Sequence, residues 1–121
     1  MIKAIADKWC AALRSGEYNQ GYNALRTEKD GRERYCCLGV LCDLAMKNGV
    51  LMTLSLNGEY DGMGAYLPEA VTDWSGVRKC SPEVNIFRSN RDTKLTLSCL
   101  NDSKTSFEDI AKLIETNIEN L

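Results

Sequence analysis

The chain has 121 residues, 44% of them hydrophobic, a length that suits one domain, residues 1–121, with its own core. Its 15 basic and 17 acidic side chains give a formal net charge of −2, so no overall positive field attracts nucleic acid or an anionic membrane. No apolar run approaches the length of a membrane span. We therefore expect a soluble cytoplasmic protein without a nucleic-acid or membrane partner.

The N-terminal segment has a helical apolar pattern. From Ile2 to Ser15, apolar side chains recur at spacings of three and four, and Gly16 follows as a stop signal. The pattern predicts an amphipathic helix with Trp9 anchored in the core. The following segment, 17–25, is rich in tyrosines and amides, which is typical either of a surface loop or of a ligand site.

Residues 27–34 are dense in charges of both signs around the turn dipeptide Asp30-Gly31. This pattern is consistent with a β-hairpin. Because positive and negative charges alternate closely, we expect them largely to cancel, which favours a solvated turn over a binding site.

The longest nearly uninterrupted apolar run, 34–45, predicts the centre of the fold. Its apolar side chains fall at helical spacing, and Asn48-Gly49 is a helix-ending signal, so we place a helix from about Cys37 to Asn48. A helix that is apolar on most faces is usually covered on several sides by its neighbours.

The chain contains six cysteines and no histidine. Their spacings do not fit a zinc site, and a chain of this size without an apolar signal segment does not need disulfides. Since free cysteine is among the most buried residue types, we favour reduced core cysteines over metal ligands or disulfides. The cysteines are Cys10, Cys36, Cys37, Cys42, Cys80 and Cys99.

The second half of the chain alternates extended and helical signals. Residues 50–66 surround an Asn57-Gly58 turn and predict an antiparallel pair, and a short helix should begin near Pro68 and end at Gly76. A second extended pair is predicted from Val84–Phe87 and Leu95–Cys99. For residues 97–101 one helical turn is the alternative, and we prefer the strand.

The C-terminal segment predicts an amphipathic helix that runs to Leu121 and is capped by Thr105 or Ser106. Thr105 and Glu108 match the spacing of a reciprocal capping box. The whole chain therefore predicts an α+β domain: a central apolar helix, N- and C-terminal amphipathic helices and a small antiparallel sheet.

The residue types argue more against an enzyme than for one. Without histidine, acid–base chemistry would fall to carboxylates, lysines or cysteines, and no glycine-rich phosphate loop occurs. Asp43 on the central helix is the acid expected nearest the core, where pairing with a cation is its commoner use. We assign no catalytic residue, metal or cofactor, and a small hydrolase using carboxylates ranks third among our interpretations.

A basic turn after the second extended run is the candidate ligand site. Three cations, an aromatic ring and an amide within ten residues can hold a phosphate-bearing small molecule, although a plain basic surface turn has the same composition. Two residues of the tyrosine-rich region would join the site if the fold brought them close. The candidate ligand-binding residues are Tyr22, Arg26, Asn85, Phe87, Arg88 and Arg91, with Lys94 beside them.

Several motifs together resemble small uncharacterised proteins of phages and prophages. They are YCCLGVLCDL at 35–44, Leu67-Pro68, Trp74-Ser75-Gly76, Leu100-Asn101-Asp102 and Ser106-Phe107. The resemblance implies a non-enzymatic host-interaction protein in the host cytoplasm, and it allows a homo-oligomer. Within that context we expect an anti-defence factor that sequesters a nucleotide-derived signal, with a protein-binding inhibitor of a host factor as the alternative.

Overall fold

The computed structural model describes all 121 residues. It contains five helices and two antiparallel two-stranded sheets, which confirms the α+β prediction. None of the helices combines the length and the apolar character that a membrane crossing requires. In chain order the elements are α1 Lys3–Arg14, β1 Arg26–Lys29, β2 Arg32–Tyr35, α2 Cys37–Lys47, α3 Glu69–Ser75, β3 Glu83–Arg88, β4 Arg91–Thr96, α4 Leu97–Asp102 and α5 Phe107–Thr116.

Helix α2 is the centre of the fold, as its apolar run predicts. Every residue from Cys37 to Cys42 is buried, and α1, α3, α4 and β2 all contact the helix. Trp9 of α1 is fully buried and donates from Nε1 to the Cys37 carbonyl at 2.9 Å. The expected role of Trp9 as a core anchor is confirmed.

The start of α2 is fixed by side chains as well as by packing. The Cys36 Sγ accepts a hydrogen bond from the Gly39 amide, and the buried Asn101 Oδ1 accepts one from the Cys37 amide at 3.2 Å. Asn101 also donates to the Gly21 carbonyl at 2.8 Å. One amide side chain on α4 therefore ties α2 to the segment before β1.

Gly39 lets the chain pass unusually close to α2. A Cβ atom at this position would lie 1.8 Å from the Leu25 carbonyl oxygen, and that same carbonyl accepts a hydrogen bond from the Cys36 amide at 3.2 Å. The two atoms nearest to this Cβ are the oxygen and carbon of the Leu25 carbonyl. Because they belong to the backbone, they cannot rotate away as a side chain could, and only glycine fits at position 39.

The segment 50–66 does not form the predicted antiparallel pair. It contains only isolated bridges, Leu54 with Tyr60 and Tyr60 with Met63. Tyr60 is fully buried, whereas Leu51, Leu54 and Leu56 are exposed. Tyr60 is the only fully buried large side chain of this loop, while Val50, Met52 and Met63 pack partly buried against the core. The alternation in the sequence therefore does not correspond to a two-faced sheet.

The predicted strand Leu95–Cys99 is also wrong in its second half. Strand β4 ends at Thr96, whose Oγ1 accepts from the Cys99 amide at 3.2 Å and so caps α4. Leu97 and Leu100, three residues apart, are buried on this short helix. Because of this cap, the alternating sequence forms a helix. Residues 97–101 are therefore helical, which was the alternative to the predicted strand.

The last helix begins where it was predicted to begin, but it lacks the predicted capping box and ends earlier. Ser106 is the N-cap and accepts from the Asp109 amide at 3.1 Å, so the Thr105–Glu108 capping box is absent. Helix α5 ends at Thr116 instead of continuing to Leu121. Glu108 forms an ion pair with Arg14 of α1 at 3.0 Å instead of capping its own helix.

The six cysteines are all free, and four of them lie in the core: Cys10, Cys36, Cys37 and Cys42. Burial raises the pKa of Cys10 and of Cys36 to about 11. These thiols are therefore neutral near pH 7 and pack as small apolar groups. Cys80 and Cys99 are exposed, contrary to the expectation that all six are core residues.

Replacing Gly39 with alanine tests the close approach to α2. We expect Gly39→Ala to lower the free energy of unfolding by about 3 kcal/mol, the upper end of the usual cost of overpacking a core, because backbone must shift to admit the methyl group. Gly64→Ala is the control, since its Cβ would meet nothing closer than 3.7 Å. Urea denaturation measures both. Equal stability of the two variants would contradict the observed packing of Leu25 on the helix.

A leucine pair tests which apolar residues form the core. Leu41→Ala should lower the free energy of unfolding by roughly 2–5 kcal/mol through the cavity it leaves. Leu56→Ala, at a side chain that is fully exposed, should change it by less than about 0.5 kcal/mol. A nearly neutral Leu41→Ala in the same urea titration would remove α2 from the centre of the fold.

Candidate functional site

The β3–β4 hairpin carries most of the residues that the sequence analysis selected as ligand-binding. Its strands pair from Glu83 with Thr96 to Arg88 with Arg91. The turn residues Ser89 and Asn90 have φ values of 53° and 61°, as a two-residue turn of type I′ requires. The short turn fixes the register, and the register decides which side chains share a face.

The two faces of this hairpin differ in chemistry. Val84 is buried and Leu95 half-buried, so their face packs on the protein. Side chains alternate along a strand, and directly paired residues share a face. Asn85 and its partner Lys94 therefore lie on the outer face, together with Phe87, whose side chain is 71% exposed.

A cleft opens on the outer face beside Asn85 and Lys94. Its volume is about 50 Å³, enough for a group of about the size of a phosphate. Three parts of the chain converge on it: the segment after α3, the hairpin and the C-terminal residues. The cleft is lined by Arg78, Lys79, Pro82, Glu83, Asn85, Lys94, Asn120 and Leu121.

One side chain, Asn117, and one backbone hydrogen bond hold these three parts together. The buried Asn117, which follows α5, accepts from the Asn85 amide through Oδ1 at 2.9 Å and donates to the Leu113 carbonyl at 2.8 Å. The Arg78 amide donates to the Leu121 carbonyl at 2.8 Å. The cleft is therefore built on anchored backbone even though its charged side chains are exposed.

The cleft has an excess of positive charge. Lys79 pairs with Glu83 at 3.3 Å, which neutralises one of its three cations. Arg78 and Lys94 take part in none of the seven ion pairs in the chain. Two exposed cations, Arg78 and Lys94, thus remain available to an anion. The side-chain amides of Asn85 and Asn120 lie beside them.

The structure divides the candidate ligand-binding residues of the hairpin between two faces. Asn85 and Phe87 lie on the outer face with Lys94. Arg88 and Arg91 are paired with each other one step further along, so alternation places them on the opposite face at the tip. The five residues that the sequence groups together therefore form two separate sets.

Tyr22 and Arg26 lie elsewhere and do not line the cleft. The Lys104 Nζ sits 3.6 Å from the centre of the Tyr22 ring, a cation–π contact next to α4. Arg26 on β1 pairs with Glu33 at 2.8 Å and donates to the Tyr35 hydroxyl at 3.4 Å.

Sequence analysis missed the cleft residues Arg78, Lys79 and Asn120. The adjacent basic pair after Gly76 is visible in the sequence, but only tertiary contacts bring it and the C-terminal segment beside the hairpin. A local pattern does not encode that convergence.

Asp43, the acid expected nearest the core, is occupied by two neighbours. It accepts a hydrogen bond from the Tyr18 hydroxyl and pairs with Lys47 at 2.9 Å. Burial, followed by the bond to Asp43, raises the pKa of Tyr18 to about 12, so this phenol stays protonated at neutral pH. The cluster is a half-buried polar network in which Asp43 serves as the partner of a cation.

Comparison with known families places the whole fold in one domain. A family model with the description "Domain of unknown function (DUF8296)" matches residues 1–118. The chain belongs to the DUF8296 family. The match includes every helix and strand of this DUF8296 domain and ends two residues before Asn120. No curated protein and no solved structure matches the chain.

Asn117 offers a test of how the cleft is held. Asn117→Ala should lower the free energy of unfolding by roughly 1–3 kcal/mol, because the backbone N–H of Asn85 loses its hydrogen-bond acceptor. Asn57→Ala is the control, since Asn57 is exposed and makes no side-chain hydrogen bond. Urea denaturation of both variants checks the expectation. If Asn117→Ala matched the wild type, β3 would not depend on this anchor.

Proposed function

We propose that this DUF8296 protein binds a nucleotide-derived small molecule on the outer face of β3–β4. The observation that carries the proposal is the convergence of two unpaired cations and two amides in one cleft, with an exposed aromatic ring on the same strand face. Each part of that arrangement corresponds to one part of a nucleotide.

The phosphate belongs in the cleft. Arg78 offers a planar guanidinium that can donate two parallel hydrogen bonds to a phosphate, and Lys94 adds a compact positive charge. The volume of about 50 Å³ admits the phosphate and leaves the rest of the ligand outside. The ligand therefore lies along the hairpin surface instead of being enclosed.

The base belongs on Phe87. This ring is two residues beyond Asn85 on the same face, which corresponds to roughly 7 Å along the strand. A base stacked on an exposed aromatic side chain contributes about 1–3 kcal/mol. The side-chain amide of Asn85 lines the cleft and lies on the same face as the ring, so it can hydrogen-bond a sugar or a base edge.

Sequestration is the biological role that fits this binding mode best. The motifs around 35–44 resemble proteins of phages and prophages, and host defences use nucleotide-derived signals. A phage protein that holds such a signal by its phosphate and base keeps it from its receptor in the host cytoplasm. We place this protein in that role, as a binder without catalytic chemistry.

A pair of double variants tests the location of the site. Arg78→Gln with Lys94→Gln should weaken binding of ATP and of cyclic di-AMP at least about tenfold, because each lost charge-assisted bond is worth roughly 1.5–3 kcal/mol. Arg88→Gln with Arg91→Gln removes the same charge from the opposite face and should change affinity less than about twofold. Isothermal titration calorimetry measures both, and thermal unfolding confirms that each variant is folded.

Native mass spectrometry of the protein from phage-infected, defence-active cells gives the complementary result. A retained mass in the nucleotide range identifies the ligand, and the same spectrum reports the number of subunits. Binding that is lost in the Arg88/Arg91 variant and kept in the Arg78/Lys94 variant would move the site to the other face. Absence of any nucleotide binding would overturn the proposal.

A second candidate function rests on exposed apolar side chains. Leu51, Leu56 and Tyr66 are all exposed within the irregular segment 50–66, and exposed apolar residues of this kind often mark contacts with other proteins. This favours the protein-binding inhibitor as the alternative. Co-purification of a host protein that is lost in Leu51→Ser with Leu56→Ser would support it over sequestration.

A further inference from the structure

The first hairpin sorts its mixed charges by face. β1 and β2 pair Arg26 with Tyr35, Thr27 with Arg34, Glu28 with Glu33 and Lys29 with Arg32. Alternation therefore groups Lys29, Arg32 and Arg34 on one face, and Glu28 and Glu33 on the other. The expectation from sequence that these charges largely cancel is not met, because the strand register separates them.

The cationic face has no internal neutralisation. None of its three cations takes part in an ion pair. On the other face, Glu33 is held by Arg26 at 2.8 Å. All three cationic side chains are exposed, so the face presents a compact positive field next to solvent.

A neighbouring segment extends this face. The Tyr35 amide donates to the Asn19 carbonyl at 2.8 Å, which places residues 19–21 alongside β2. Arg32 and Arg34 line one shallow groove with Asn19 and Gln20, and a second with Lys29 and Asp30. Neither groove has an apolar lining residue. Asp30, at the turn, is the only acid in either lining.

We propose that the Lys29/Arg32/Arg34 face is a nucleic-acid contact, with the β1–β2 ribbon lying in the major groove of a DNA duplex. A two-stranded ribbon has the width that this groove admits. Three cations and the Asn19 side-chain amide are donors of the kind that bind phosphate oxygens, whereas the Gln20 amide is already bonded to Asn101 and Thr105. The entirely polar lining favours nucleic acid over an acidic protein, because protein interfaces have an apolar centre.

The number of cations on this face sets how strongly the affinity for DNA depends on salt concentration. Three phosphate contacts correspond to a slope of about −3 for the logarithm of the affinity against the logarithm of salt concentration. The net charge of −2 works against binding at longer range, so this contact is weak and sensitive to salt. It is separate from the β3–β4 cleft and does not depend on the function proposed there.

Fluorescence anisotropy tests this contact with three labelled probes: a DNA duplex, a single-stranded RNA of the same length and a polyglutamate peptide. We expect the duplex to bind most tightly, with a salt slope of about −2 to −3. Lys29→Gln with Arg32→Gln and Arg34→Gln should weaken duplex binding at least about tenfold and flatten the slope to near zero.

The matched control is Lys3→Gln with Lys8→Gln and Lys112→Gln, which removes the same charge from exposed helical positions. We expect this control to retain most of the affinity for the duplex. Equal loss in both triple variants would show that only net charge matters and would overturn the proposal. Tighter binding of polyglutamate or of RNA than of the duplex would overturn it as well.

Discussion

The contact on which the rest of the structure depends is the one between the backbone of Leu25 and helix α2 at Gly39. The extended segment that contains Leu25 contacts the helix directly, with no side chain in between. The Leu25 carbonyl also accepts a hydrogen bond from the Cys36 amide at the start of the helix. Asn101 of α4 strengthens this contact, because its side chain bonds both the Cys37 amide and the Gly21 carbonyl. Because α2 is apolar on most faces, fixing its first turn also fixes where α1, α3 and α4 can pack.

Both hairpins project from α2 and its neighbours, and they are mostly exposed whereas α2 is mostly buried. Tyr35 joins β2 to the core, and Val84 with Leu97 does the same for the β3–β4 unit. Ile86 and Leu95 are half-buried against the core as well. From these residues to the turns the strands are exposed on both faces, so packing no longer dictates the side chains. What remains is the alternation of the strands, which separates charges and aromatic rings into chemically distinct surfaces.

Much of the fold was predictable because its strongest signals are local. The period of α1, the apolar run of α2, the Asp30-Gly31 turn and the Gly76 stop each specify their own element. The errors arose where one side chain decided between two conformations. Thr96 caps α4 and ends a strand that the alternation alone would continue, and buried Tyr60 holds a loop that resembles a hairpin in sequence.

The candidate site was predictable only in part for a related reason. Asn85, Phe87 and Lys94 were found because they are close in sequence. Arg78 and Asn120 reach the same cleft through tertiary contacts, and the face on which an arginine lies depends on a register that a two-residue turn sets. Composition thus located the hairpin, whereas strand geometry decided which of its side chains can act together.

The uneven burial of the cysteines has a practical consequence for studying this protein. Four thiols are shielded and protonated, whereas Cys80 and Cys99 are accessible to solvent. Cys80 lies two residues after Arg78, next to the cleft, and Cys99 lies on α4. The native chain therefore already contains two attachment points for thiol-directed fluorescent or spin labels, one of them beside the cleft, and labelling them does not require opening the core.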